Sequence, residues 1–207
     1  MGLRYEQVYS ASQFSTFAPG GEEITQIAFR VGAEAAGRLD HGAFVTTVPA
    51  IQFTLSTTLA SPGNLSSSFA NNLGADATTV YGIAGIGSPL TISSTGTLTA
   101  DPAPFDIVVS SSTPFFYNPA SGNLLLDIQN YEGAESPSGI ELDGILGDGT
   151  ITSRAYNYGD ASASTTNNAG DYGVVTEFVA TPIPEPTIDL MLTAGMCLLG
   201  IRQVRRS

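Results

Sequence analysis

The sequence predicts an all-β fold: an antiparallel two-sheet β-sandwich (jelly-roll-like) with one short C-terminal hydrophobic helix. Three observations predict it. Apolar and polar residues alternate with a period of two in stretch after stretch, which marks half-buried antiparallel strands. Clusters of Pro, Gly, Asn, Asp and Ser separate those stretches. Near the C-terminus the alternation gives way to a run that is apolar on every side.

Taken in order, Ile24–Val31 puts Ile27, Phe29 and Val31 on one face and Gln26, Ala28 and Arg30 on the other. Ile51, Phe53 and Leu55 alternate with Gln52, Thr54 and Ser56, and Leu90 and Ile92 with Thr91 and Ser93. Phe105, Ile107 and Val109 face away from Asp106, and Leu124, Leu126 and Ile128 from Asp127 and Gln129. Val174, Thr176 and Phe178 close the series. Breakers lie at Pro19-Gly20-Gly21, Ser61-Pro62-Gly63-Asn64, Asp101-Pro102-Ala103-Pro104, Asn118-Pro119, Ser136-Pro137-Ser138-Gly139 and Gly147-Asp148-Gly149. Roughly eight to twelve short strands follow from this pattern. Only Leu65–Leu73 has the option of a helical turn or two.

Charge narrows the function. The 207 residues carry 7 basic and 19 acidic side chains, a net charge of -12, and every basic residue is Arg. Residues 1–181 hold four Arg and 17 acids, a net of -13, which repels nucleic acid and anionic lipid. One cysteine (Cys197) excludes an internal disulfide and a multi-cysteine zinc site. No cofactor is expected.

The candidate chemistry in the body is thin. Asp143 and Asp148, in Asp143-Gly-Ile-Leu-Gly-Asp148-Gly149, form the stretch nearest a calcium loop, though the EF-hand spacing is absent and Asp and Gly also make plain turns. The acid pairs Glu132/Glu135 and Glu141/Asp143 are compatible with glycoside hydrolysis, but an acid-rich body produces such pairs by chance. His41 beside Asp40 sits in a Gly-rich turn with no nucleophile motif nearby. Tyr156 and Tyr158, in Tyr156-Asn-Tyr158-Gly-Asp160, together with Tyr117-Asn118, combine rings with amides and acids as sugar-binding loops do. Plain β-sandwiches carry such loops too. Asn64-Leu65-Ser66 is a formal glycosylation sequon.

The last 26 residues are of another kind. Thr181-Pro-Ile-Pro-Glu-Pro186 is a stiff spacer, Thr187 to Ile201 is mostly apolar, and Arg202, Arg205 and Arg206 follow. A helix of 15 residues spans about 22 Å, short of the roughly 30 Å hydrocarbon core. Apolar side chains surround it, so it suits lipid or deep burial. A helix packed on the domain is the competing reading. Arginines behind an apolar helix stay on the cytoplasmic side.

Pro184-Glu185-Pro186, the short apolar stretch and the terminal Arg cluster, in that order, resemble the PEP-CTERM sorting signal of Gram-negative, exopolysaccharide-producing bacteria. The resemblance implies recognition at Pro184, Glu185 and Pro186 by exosortase, a membrane-bound processing enzyme. It also implies anchoring in the inner membrane before processing, then delivery to the cell surface or outside. Asp189 departs from a wholly apolar segment. Residues 1–8 contain no apolar signal-peptide core, so a true start upstream is expected. Body segments resemble one group of PEP-CTERM proteins as well: Tyr5-Glu-Gln-Val-Tyr9, Ile24–Arg30, Ile51–Thr57, Phe69-Ala-Asn-Asn-Leu-Gly74 and Phe116–Asp127. That group brings no activity with it.

The expectation is therefore a body of residues 1–181 and a sorting segment of residues 182–207. Its role is structural or adhesive and not enzymatic. A carbohydrate-binding module acting on exopolysaccharide is the first alternative, and a glycan hydrolase ranks behind it.

Overall fold

In the computed structural model, residues 2–32, 43–95, 102–132, 142–147 and 149–183 are described. They form twelve strands: β1 (Gly2–Tyr9), β2 (Glu22–Phe29), β3 (Phe44–Thr58), β4 (Thr78–Tyr81), β5 (Ser88–Ser94), β6 (Ile107–Tyr117), β7 (Asn123–Asn130), β8 (Gly144–Leu146), β9 (Thr152–Gly159), β10 (Asn168–Gly170), β11 (Tyr172–Val174) and β12 (Thr176–Pro182). The pairings between these strands are antiparallel. The all-β antiparallel expectation holds. The C-terminal hydrophobic helix expected at Thr187 to Ile201 lies outside the described residues.

A seven-stranded sheet runs β10-β9-β1-β7-β3-β4, with β5 also paired to β3. The 15-residue β3 is long enough for β4 and β5 to share one of its edges. The chain turns between those two strands at Gly82 (φ 83°) and Gly87 (φ 72°), a backbone region natural to glycine. A side chain at Gly87 would also press on the Ala50–Ile51 backbone at 2.6–2.7 Å. A three-stranded sheet, β12-β2-β6, and a two-stranded one, β11-β8, complete the strands.

One apolar cluster joins the sheets. Phe53, Leu55, Leu124 and Leu126 of the large sheet meet Ile24, Ile27, Phe29, Val109, Phe115 and Tyr117 of the small one. At one end an aromatic group locks the sheets edge to face, with Phe14 5.0 Å from Tyr117 and Tyr9 5.1 Å from Phe178.

Several local expectations are corrected. A bulge between Ile24 and Gln26 lets Ile24 and Ile27, three residues apart, both reach the core. Val174 and Phe178 fall on different strands, β11 and β12, because the chain leaves one sheet and joins another at Val175. Leu65–Leu73 supplies one 3-10 turn, Phe69–Asn71, as expected, but it is not alone: Ala11–Phe14 and Pro119–Ser121 form two more. The largest correction concerns the polar faces. Gln52, Thr54, Ser56 and Asp127 are buried, not solvated: residues 63–73 and 160–166 cover the centre of the large sheet from outside, and Gly85 and Tyr131 bond Gln52.

Leu126 is 1% exposed at the middle of the cluster, whereas Leu59 is 91% exposed. Leu126→Ala is expected to lower unfolding free energy by about 2–5 kcal/mol. Leu59→Ala should change it by less than about 0.5 kcal/mol. Urea denaturation of the two variants checks both values.

Candidate functional site

Few of the residues singled out in the sequence meet. The sorting residues Pro184, Glu185 and Pro186, the segment Thr187 to Ile201, and Arg202, Arg205 and Arg206 lie outside the described residues. So do Asp40, His41, Glu135, Glu141 and Asp148. Asp143 is described, and its Oδ2 is committed to Arg30 in a salt bridge of 2.6 Å. Its backbone also bonds Arg30 and Val175, so it ties β2 to the segment entering β8. Among the described residues no group of three or more His, Cys, Asp or Glu could hold a metal ion. Tyr117 is fully buried and donates its hydroxyl to the Gly122 carbonyl at 2.9 Å. Asn118 caps the 3-10 turn Pro119–Ser121. That pair is scaffolding, not a sugar site.

Tyr156 and Tyr158 are the exception, although they stand on a strand rather than in a loop. β9 pairs with β1 so that Arg154, Tyr156 and Tyr158 lie opposite Gln7, Tyr5 and Leu3. Across β1, β7 and β3 the register continues the rows: Tyr156, Tyr5, Ile128, Phe53, and beside it Tyr158, Leu3, Asn130, Ile51. These rows floor a cavity of about 480 Å³. Phe29 of β2 with Ile107 and Val109 of β6 roof it, and Leu90 and Ile92 of β5 close one side. Tyr158 is 67% exposed at its rim.

Arg154 stands at the edge of this apolar space. Its guanidinium lies 5.1 Å from the Tyr156 ring centre and 4.5 Å from that of Tyr172. It also lies beside the Tyr5 hydroxyl. That hydroxyl donates to Gln7 Oε1 at 2.5 Å, and Gln7 is held in turn by both backbone groups of Val174. Burial pushes the Tyr5 hydroxyl up to about 12, so it stays a neutral donor near pH 7. Arg4 and Arg30 form ion pairs, while Arg154 forms none with any described residue.

The opposite face of the same sheet holds a second polar group that the sequence did not single out. Glu6 (0% exposed) and Asp127 (2%) are direct cross-strand neighbours. Arg4 reaches Asp127 with two bonds, of 2.8 and 3.3 Å, and approaches Glu6 only to 4.0 Å. Asn72 donates to Glu6 Oε2 at 2.7 Å, and Phe69 lies under the guanidinium at 4.6 Å. Glu6 Oε1 has no hydrogen-bond partner. Burial, reinforced by the Asp127 carboxylate, pushes the Glu6 carboxyl up to about 8. Burial raises Asp127 as well, against the pull of Arg4. With Glu6 protonated, one cation balances one anion, which is the state that a low-dielectric site favours. A substrate cannot touch carboxyls this deeply buried, so the cluster is a structural element. The sequence signal for it is Leu124-Leu125-Leu126, whose unbroken apolar run marks a strand buried on both faces.

No protein-family model, no curated protein and no solved structure matches the chain.

The Glu6 cluster makes stability depend on pH. Between about 4.5 and 8 the folded protein keeps a proton on Glu6 that the unfolded chain has lost. Unfolding then releases protons, so stability falls as pH rises through that window, by up to about 4 kcal/mol. Glu6→Gln, which keeps an oxygen for Asn72, should flatten that slope and equal or exceed the wild type at pH 8. Urea denaturation at pH 5, 6.5 and 8 measures both slopes.

Proposed function

We propose that the protein is an exported surface or extracellular-matrix protein, sorted and processed through a C-terminal PEP-CTERM signal. Its all-β body forms a two-sheet, jelly-roll-like sandwich with a structural or adhesive, non-catalytic role. The observation that carries this reading is the ordered triple at the C-terminus: Pro184-Glu185-Pro186, the apolar stretch Thr187 to Ile201, and Arg202, Arg205 and Arg206. Each part has a physical task. The prolines stiffen a spacer, the apolar stretch enters lipid, and the arginines stay on the cytoplasmic side. Exosortase is the processing partner, the inner membrane the transient anchor, and exopolysaccharide the surroundings of the mature protein. In this reading the anchor is Thr187 to Ile201; no helix among the described residues is long and apolar enough to cross a membrane. A net charge of -13 over residues 1–181 supports solubility outside the cell.

One observation favours a second reading, a carbohydrate-binding module. The exposed Tyr158 ring, with Tyr156 on the same face of β9, offers a stacking surface for a sugar. A glycan array on the full chain, repeated with Tyr156→Ala and Tyr158→Ala, separates the readings. Binding lost in both variants supports the module.

For the sorting proposal, the gene is expressed with its native upstream DNA in an exosortase-positive strain, and the exported protein is mapped by mass spectrometry. The mature C-terminus is expected near Pro184-Glu185-Pro186, and Glu185→Ala should leave unprocessed chain in the membrane fraction. An intact cytoplasmic chain ending at Ser207 would refute the proposal.

A further inference from the structure

We propose that the cavity between the large and small sheets binds an amphipathic carboxylate of fatty-acid type. Its apolar chain would run along the Tyr5, Ile128 and Phe53 row, with its carboxylate paired to Arg154. A volume of about 480 Å³ falls within the range of small-molecule sites. Its lining dictates an apolar occupant. Floor and roof are built mainly from Ile, Val, Leu and aromatic side chains; of the polar side chains, Gln7 and Arg154 sit where β1 and β9 meet, and Asn130 stands on β7. A sugar would strand its hydroxyls against such walls, at a cost of a few kcal/mol each. A hydrocarbon chain would not.

Charge complementarity selects the head group. Of the described arginines, Arg4 and Arg30 are neutralised by Asp127 and Asp143, and Arg154 alone forms no ion pair. Tyr156 and Tyr172 hold its guanidinium through their ring faces. Guanidinium N–H groups point outward in its own plane, where a carboxylate accepts two parallel bonds. The adjacent Tyr5 hydroxyl already donates its one proton to Gln7 Oε1, so the head group falls to Arg154. From β9 to β3 the row crosses three strand spacings, about 14 Å, so a linear chain with one charged end fits better than a compact molecule. The acidic body repels anions at long range, but at 0.1 M salt that field is screened beyond about 10 Å. The local cation then decides.

The test uses the full 207-residue chain and two probes of the same chain length, dodecanoate and dodecyltrimethylammonium. Both are titrated calorimetrically below their micelle concentrations in physiological salt. Saturable one-to-one binding of dodecanoate is expected, with the cationic probe weaker by at least about tenfold. Arg154→Gln should weaken dodecanoate by about tenfold or more while leaving the melting curve in place. Ile128→Trp, which fills the floor, should abolish binding. If that variant does not fold, octanoate replaces it and is expected to bind more weakly than dodecanoate. Three results would overturn the proposal. They are equal affinity for the two head groups, dodecanoate binding unchanged by Arg154→Gln (placing it elsewhere, as on Thr187 to Ile201), and no saturable binding at all.

Discussion

The governing constraint is a mismatch in width. Five adjacent strands, β9-β1-β7-β3 and then β4 or β5, make up the body of the large sheet, whereas β12, β2 and β6 make up the small one. At about 4.8 Å per strand spacing, the first is about 19 Å across and the second about 10 Å. Three strands cannot cover five. Where they do overlap, Ile24, Ile27, Leu55, Leu124 and Leu126 interlock as a dense core. Toward β9 the three-stranded sheet runs out; β11 reaches over Arg154 through Tyr172, and Tyr156 and Tyr158 border the open space of the cavity. The cavity is thus a consequence of sheet topology, running from beneath the small sheet out to its rim at β9.

The other face of the large sheet meets the same shortage differently. Among the described residues no second sheet lies there. Segments 63–73 and 160–166 cover the centre, and irregular backbone brings many donors and acceptors that need partners. The sheet supplies them as polar side chains. Gln129 donates to the Ala161 carbonyl, Arg4 to that of Ala163, and Asp127 and Glu6 anchor Arg4 and Asn72. A hydrocarbon face would leave those loop groups unsatisfied, each costing about 1–3 kcal/mol. Glu6 is where the arrangement is least complete. Its Oε1 is orphaned and its charge is the one the cluster cannot balance, so the proton it retains is the least costly solution.

This explains what was legible in the sequence. Period-two alternation exposed the strands whose inner face is apolar, and the breakers located their ends, because both depend on neighbouring residues alone. β1 and β9 were harder to read. Arg4, Glu6, Arg154 and Asn157 give them a solvated look, and only tertiary cover makes Glu6 a core residue. Four of the five body segments that carry the resemblance meet around that cluster, and the fifth, Ile24–Arg30, lies in the small sheet. Glu6 comes from the first, Thr54 from Ile51–Thr57, Asn72 from Phe69–Gly74 and Asp127 from Phe116–Asp127. Those segments build the scaffold. The cavity escaped sequence reading because it is a property of two sheets, while Tyr156 and Tyr158 came to notice through residue type alone.

β1 links the two faces. Its residues alternate, with Leu3, Tyr5 and Gln7 toward the cavity and Arg4, Glu6 and Val8 toward the loop cover. A slip of one residue in its pairing with β7 would exchange the two sets. Arg4 and Glu6 would then enter a hydrocarbon interior, and Tyr5 would lose Gln7 and the Val174 backbone. Each face therefore enforces the register the other needs, through groups too polar or too large for the opposite side. The buried charges stabilise little by themselves. Their contribution is to make the wrong register far worse than the right one, and so to keep Tyr5 beside Arg154 at the edge of the cavity.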